Sequence, residues 1–413
     1  MLTLNRLKIC SDTLMPASEA PQRWLLLTSS TGTGHNMRAA SLTHWAESEL
    51  GGRIELRTHH VLEATHKVYR FGVGFYNFIQ RRAPWFHHVY FNYLEIAGMH
   101  RHARRILGKD RFTSLVADYR PHRLVSVHAH TNHGFFDLAR EASDAGGFAA
   151  PACMTYCGEL FAGYGFSRHW TNPRADGFIG ASEEVCAAAR AVGTPLERIL
   201  HGGFLLSAPF YQSEAELDAS ADALARELKL RRDRFTLLLS TGLAGANNHS
   251  EIVRGLADSD ATMQVIALCA HREDTRAVLA RLAAAAPRLT IRALGPAEPP
   301  RMAALKRLAS AVLARPGTGA TSEAIQLGVP LIHNGIGGIM PQELITVQYC
   351  KQHGCSLVAR TPAEVVAAAI RLKSEPALAE SLRASLGAAR PAGRPADIVR
   401  WIAERGAPAN HAS

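Results

Sequence analysis

The chain contains no run of about 18 apolar residues, the length a bilayer-spanning helix needs, so no segment reads as a membrane span. Residues 1–22 lack a positive stretch followed by an apolar core; they read as a flexible tail, not as a secretory signal. Cysteine is sparse: seven residues, an odd and scattered set without the pattern of a secreted disulfide scaffold. Cys153 and Cys157 stand four apart with no matching second pair, which argues against zinc and for buried reduced thiols. Charged residues make up 20% and apolar residues 47%, a balance that excludes a disordered or fibrous chain. At 413 residues the chain exceeds one ordinary core and implies two domains. It has no internal repeat.

Acid is locally scarce as well. The net charge is +10, and residues 66–109 hold Lys67, Arg70, Arg81, Arg82, Arg101, Arg104, Arg105 and Lys109 against a single acid, Glu95. Aromatics are interleaved there, among them Phe71, Phe75, Tyr76, Phe78, Trp85, Phe86, Tyr90 and Tyr93. Basic residues mixed with aromatics suit a surface that lies on an anionic bilayer, with Arg81, Arg82, Trp85 and Phe86 as membrane candidates. A helical pair with an aromatic core face and a solvated basic face is the structural alternative. Nucleic acid could use the same ingredients. The segment is very apolar for such a face, so no nucleic-acid partner is expected.

Two glycine turns carry the chemistry. In the first, the apolar run Ala311–Ala314 reads as a buried strand and breaks at Pro316-Gly317. The chain then passes through Thr318, Gly319, Ala320 and Thr321 into a helix that carries Glu323. A helix N-terminus offers unpaired N–H groups and about half a positive charge, and small residues let a phosphate approach the backbone. Glu323 falls about one turn into that helix, where a carboxylate could hold two ribose hydroxyls. Phosphate and ribose together suggest a nucleotide; an ordinary strand-to-helix turn is the alternative.

The second turn follows the strand Trp24–Thr28. It reads Ser29-Ser30-Thr31-Gly32-Thr33-Gly34-His35, and Ala39, Leu42, Ala46 and Leu50 then recur at helical spacing. The third glycine of the dinucleotide fingerprint is missing. His35 stands where the helix begins, a position that disfavours imidazolium and keeps the ring available as a proton acceptor. Capping or packing is the plainer reading of a histidine there.

Candidate strands alternate with helices along the chain. A first set is Leu25–Thr28, Ile54–Arg57, Leu124–Val127, Cys153–Tyr156 and Gly177–Ile179. A second is Thr236–Ser240, Gln264–Leu268, Leu289–Ala293, Ala311–Ala314, Leu331–His333 and Ser356–Val358. Such alternation predicts parallel sheets covered by helices on both faces. Leu205–Gln212, with Pro209, reads as a linker between domains. The expected division is a tail at 1–22, a first domain at 23–207, a second at 208–390, and a C-terminal helix and tail at 391–413. The helix at Pro395–Arg405 is expected to cross back to the first domain.

In this order and spacing, the two turns resemble glycosyltransferase family 28 and its relatives of the GT-B fold. The likeness is greatest to the monogalactosyldiacylglycerol synthase and processive diacylglycerol glucosyltransferase branch. It rests on Ser29–His35 with Ala39-Ala40, and on Pro316–Pro330 followed by Pro341-Gln342-Glu343. It extends over roughly residues 23 to 375, with further support from Ile179–Glu184, His201–Phe204, Leu237–Asn247 and Val265–Cys269.

The resemblance implies an α/β protein of two doubly wound, Rossmann-like domains facing a cleft. It implies an inverting enzyme that moves a hexose from a UDP-sugar to a lipid hydroxyl, diacylglycerol above all, on the cytoplasmic face of a membrane. No cofactor and no metal are expected. Gly317, Thr318, Gly319, Ala320, Thr321 and Glu323 would bind the donor, together with the glycine turn at Gly242, Gly245, Ala246 and Asn247. Gln342 and Glu343 match the family's Gln-Glu pair, which meets hydroxyls of the transferred sugar. His35 would accept the proton of the acceptor hydroxyl, with Gly32 and Gly34 shaping that turn. Relatives carry an Asp in the loop matching Cys157–Phe161; here Glu159 is the available acid. The chain departs from the family at Met340-Pro341, where Pro-Gly is usual, and at Thr346, where Asn is usual. His128, His130 and His133 follow a strand, but no carboxylate stands at a metal-binding spacing, so they read as polar packing at the cleft edge. A polyprenyl-linked or other hydrophobic acceptor, a nucleotide-sugar epimerase and an inactive binding module remain the competing readings.

Overall fold

The computed structural model describes residues 20–82, 86–240 and 248–405, with the backbone alone at Arg81 and Arg82. Twelve strands form two parallel six-stranded sheets among these residues. The first sheet takes Gln22–Thr28 (β1), Ile54–His60 (β2), Arg123–Ser126 (β3), Ala152–Cys157 (β4), Gly177–Gly180 (β5) and Ile199–His201 (β6), in the order β2-β1-β3-β4-β5-β6. The second takes Thr236–Ser240 (β7), Met263–Leu268 (β8), Leu289–Leu294 (β9), Ala311–Ala314 (β10), Leu331–Asn334 (β11) and Ser356–Ala359 (β12), in the order β12-β11-β10-β7-β8-β9. Central strands such as β3, β4, β7 and β8 are buried along their whole length, as sheets covered on both faces demand.

Helices in the first half are Gly34–Leu50 (α1), Val61–Thr65 (α2), Lys67–Arg82 (α3), His87–Ala97 (α4), Lys109–Tyr119 (α5), Gly134–Gly146 (α6) and Glu183–Ala191 (α7). The second half has Glu214–Glu227 (α8), His249–Ala257 (α9), Glu273–Ala285 (α10), Pro299–Leu308 (α11), Thr318–Leu327 (α12), Pro341–His353 (α13), Pro362–Ser374 (α14), Pro376–Ala389 (α15) and Pro395–Glu404 (α16). Each sheet winds both ways from its first strand, so the loops after β1 and β3, and those after β7 and β10, sit at switch points where such sheets bind ligands.

Three features differ from the sequence expectation or refine it. Strand β6, three residues long, was too short to show any periodicity. β1 starts at Gln22, paired with Ile54, inside the segment expected as tail. Leu205–Gln212, expected as a linker between domains, is packed: Leu205, Leu206 and Phe210 are buried, and the Leu206 carbonyl accepts the Trp45 indole N–H at 2.9 Å. The Tyr156 hydroxyl bonds the Gly203 carbonyl at 3.0 Å and accepts the Leu205 N–H at 2.9 Å, which ties the crossover to β4. Helix α16 packs on the first domain. Its Ile398, Val399 and Ile402 are fully buried, and the Arg123 guanidinium donates to the Ile402 and Ala403 carbonyls at 3.0 and 3.1 Å. The six described cysteines are buried free thiols.

Candidate active site

The turn after β10 leads directly into the N-terminus of α12. Gly317 precedes α12 in extended conformation and offers no side-chain cap. No atom stands within 4 Å of where a Cβ would sit on Gly317 or Gly319, so a ligand can approach the backbone here. Glu323 lies one turn further on, 6% exposed, with its carboxylate 2.7 Å from the Lys306 ammonium. Lys306, itself 1% exposed, also donates to the Ala320 carbonyl at 3.0 Å. A buried carboxylate requires such a partner, because desolvation of an unpaired charge costs several kcal/mol. Below it, Thr321 shares a 3.1 Å hydrogen bond with His333, whose ring burial drives down to a pKa of about 3.

The turn after β1 faces it across the domain junction. His35 Nδ1 lies 2.8 Å from the Val127 carbonyl, which can only accept, so Nδ1 carries the proton and Nε2 keeps its lone pair. Burial first, then the Arg38 charge, pushes the His35 pKa down to about 3, against the pull of the Val127 bond. The ring packs 4.4 Å from His128 and 6.0 Å from Trp170, centre to centre. Gly32 has φ +71°, which keeps its N–H turned to the Asn77 side chain at 2.9 Å; Gly34 faces open space.

Arg38 joins the two turns. It lies one helical turn beyond His35 on α1 and is 7% exposed. Its guanidinium donates to the Gly158 carbonyl at 2.9 Å and to the Thr318 hydroxyl on α12. It also stands 3.8 Å from Glu159, whose pKa burial raises while Arg38 opposes the rise. A Cβ on Gly158 would stand 2.2 Å from Arg38 Nε, so the glycine leaves the passage the arginine occupies. A cavity of about 30 Å³ bounded by Gly34, Arg38, Thr318, Gly319 and Glu323 holds little more than a water, and a larger ligand must part the Arg38–Thr318 contact.

A second junction involves the start of α13. Gln342 Nε2 donates to the Tyr76 hydroxyl of α3 at 2.6 Å. Glu343 is the next residue along α13. It is 5% exposed, paired with the Arg315 guanidinium, and accepts the Met340 N–H at 3.0 Å as the cap of α13. Both of its oxygens are engaged within the protein, and they fix the turn that opens α13.

His128, His130, His133, His100 and His169 form an array behind His35, with ring centres 4.8 to 6.1 Å apart along it. Among the described residues no group of three histidines, cysteines or acids is arranged to hold a metal ion. His128 Nε2 bonds the Thr31 hydroxyl at 2.8 Å and its Nδ1 accepts the His130 N–H at 3.2 Å, which fixes the glycine turn.

Gly242, Gly245, Ala246, Asn247 and Trp85 lie outside the described residues, as do the side chains of Arg81 and Arg82. Phe86 is half-buried just before α4. The α3–α4 pair presents an apolar outer face: Val68, Phe71, Phe78, Val89, Tyr93 and Ile96 are exposed, Phe71 by 73% and Ile96 by 82%. Lys67 and Arg70 are exposed on the same helix, and Arg104 and Arg105 nearby in sequence. Sequence reasoning missed Arg38, Lys306, Arg315 and Tyr76. Arg38, three residues after His35, carried a helical-spacing signal; Lys306 carried none.

No family model matches the chain, and no characterised protein matches it by sequence. Solved structures do match in shape. MurG of Acinetobacter baumannii is 14% identical, with a TM-score of 0.59 over 93% of this chain and 100% of that one. A UDP-GlcNAc 2-epimerase from Neisseria meningitidis, bound to UDP-GlcNAc, is 12% identical, with a TM-score of 0.58 over 92% and 99%. A UDP-glucosyltransferase from Polygonum tinctorium is 15% identical, with a TM-score of 0.58 over 93% and 98%. At these identities the likeness is one of fold: the chain has the GT-B architecture of two Rossmann-like domains.

Proposed function

We propose that the protein is an inverting glycosyltransferase that moves a hexose from a UDP-sugar to a lipid hydroxyl, diacylglycerol above all, at an anionic membrane surface. The observation that carries this reading is the meeting of the α12 N-terminus and the His35 turn through Arg38, within one domain junction. Neighbours of the same fold bind UDP-GlcNAc or transfer glucose from UDP, as their names state.

In this reading the diphosphate lies on the first turn of α12, where preoriented N–H groups stabilise the charge that develops as UDP departs. Arg38 adds a guanidinium to the same place once its bond to Thr318 opens. Glu323, held by Lys306, accepts hydrogen bonds from the ribose hydroxyls, and Gln342 meets the sugar. The acceptor hydroxyl attacks the anomeric carbon from the His35 side; its proton passes to Nε2 while the bond to the UDP oxygen breaks. General-base help of this kind contributes roughly 10²–10⁴-fold. One displacement inverts the centre, so an α-linked donor gives a β-glycoside. No step calls on a metal.

The exposed apolar face of α3 and α4, flanked by cations, would rest on the headgroups of an anionic leaflet and bring the lipid to His35. A soluble epimerase of the same fold has no need of that face. The test is incubation with radiolabelled UDP-sugars and a total lipid extract, alongside thermal unfolding with UDP. Label in the lipid phase and stabilisation by UDP are expected. Stabilisation without lipid labelling would move the reading to a nucleotide-sugar epimerase or a soluble acceptor, and neither result would remove it.

A further inference from the structure

We infer that Tyr76, on α3 of the first domain, is the positioning residue that decides which donor sugar Gln342 accepts; this rests on the nucleotide-sugar reading above. Gln342 belongs to the second domain, in the first turn of α13. Its Nε2 is taken by the Tyr76 hydroxyl at 2.6 Å and lies 3.8 Å from the Met340 sulfur. The other end of the amide, Oε1, is buried and makes no hydrogen bond among the described residues. An amide with one end occupied and the other buried and unpaired is a site with a defined polarity. It is satisfied when a ligand group of matching sense reaches it, and it resists a ligand that leaves it empty.

The surroundings hold Tyr76 and Gln342 in register. Tyr76 packs edge-on against His87, ring centres 4.7 Å apart. Gly165 has φ +102°, and a Cβ there would stand 1.8 Å from the Pro341 carbonyl, so the first domain presses on the residue preceding Gln342. His88 adds a 3.1 Å bond to the Ile339 carbonyl. Next to Tyr76, Asn77 accepts the Gly32 N–H at 2.9 Å and donates to the Ser30 carbonyl at 2.8 Å. Adjacent residues of one helix thus hold the amide that reads the sugar and the turn that carries the base. Without the phenol oxygen the amide rotates about its last bond and presents either end, and discrimination between sugars falls.

The experiment uses the full chain. Affinities for UDP, UDP-glucose, UDP-galactose and UDP-N-acetylglucosamine are measured by calorimetry, and UDP release from each sugar is followed with total lipid as acceptor. The wild type is expected to separate the best sugar from its variants in kcat/KM. Tyr76→Phe keeps the ring and the fold. It should leave UDP affinity within about twofold and shrink that separation at least fivefold, as should Gln342→Ala, with no further loss in the double variant. Asn77→Ala should slow all sugars alike and leave the separation intact. Tyr76→Phe with wild-type separation, while Gln342→Ala collapses it, overturns the inference and leaves the function standing. A wild type that binds UDP but does not distinguish the three sugars overturns it as well. A wild type that binds no UDP overturns the nucleotide-sugar reading itself.

Discussion

Acidification from pH 7.5 to 5.5 should strip the protein of several kcal/mol of stability. His100, His128, His133 and His169 are each 6% exposed or less. Their pKa values are pushed down, by burial first: to about 3 for His100, about 4 for His133 and about 2 for His169, and well below the ordinary value for His128. Arg38, Arg101, Arg174, Arg168 and His102 push the same way, and Glu95, 4.0 Å from His169, is the acid that faces the array. His100 and His133 leave Nε2 without a hydrogen bond, and His169 leaves both nitrogens without one among the described residues; of the three, His169 has Glu95 at 4.0 Å.

The folded pKa lies below the unfolded value of about 6.5, so the unfolded chain binds more protons as pH falls. Stability is then full above that value and is lost between about 6.5 and the folded pKa. Across pH 7.5 to 5.5 an unfolded histidine goes from about one tenth to about nine tenths charged, which costs about 1.4 kcal/mol for each ring that stays neutral. Four rings together cost about 5 kcal/mol, comparable with the whole stability of a domain. Urea unfolding followed by tryptophan fluorescence at pH 7.5, 6.5 and 5.5 measures the loss. His133→Gln should shallow the slope by about one proton. Equal stability at pH 7.5 and 5.5 would refute the neutral, unpaired array.

Further outcomes follow from the site. Glu323→Ala should weaken UDP binding by about 1–3 kcal/mol in calorimetry, and Lys306→Met, which strands the buried Glu323 charge, should lower stability by about 3–5 kcal/mol; unchanged UDP affinity in the first variant removes the ribose assignment. His35→Ala should keep UDP affinity and lose at least about 10²-fold in lipid labelling, and near-normal transfer would return His35 to a packing role. Gly158→Ala puts a methyl 2.2 Å from Arg38 Nε and should displace the guanidinium, lowering turnover more than UDP affinity in steady-state assays. In liposome co-sedimentation, binding should require anionic lipid, weaken with salt, and drop in Phe71→Ser and Ile96→Ser while UDP binding persists; equal association with neutral vesicles removes the electrostatic part.

The layered architecture is written in the residue pattern. Eleven of the strands are legible in the sequence, the central ones as short apolar runs bounded by turn residues, because a strand covered on both faces must be apolar throughout, whereas edge strands such as β2 and β9 carry polar residues. The sequence also shows the two glycine turns, since a strand-to-helix turn with room for a phosphate is written in consecutive small residues. What it could not determine was partnership. The Lys306–Glu323 pair spans α11 and α12, Arg38 and Thr318 lie 280 residues apart, and Tyr76 and Gln342 lie 266 apart. A single basic residue in a helix has the same local appearance whether it ends in water or against a buried carboxylate. The charge network of the cleft, the inward capping role of Glu343 and the neutral histidine array were decided by which surfaces the two domains turned toward each other, and that is a property of tertiary packing alone.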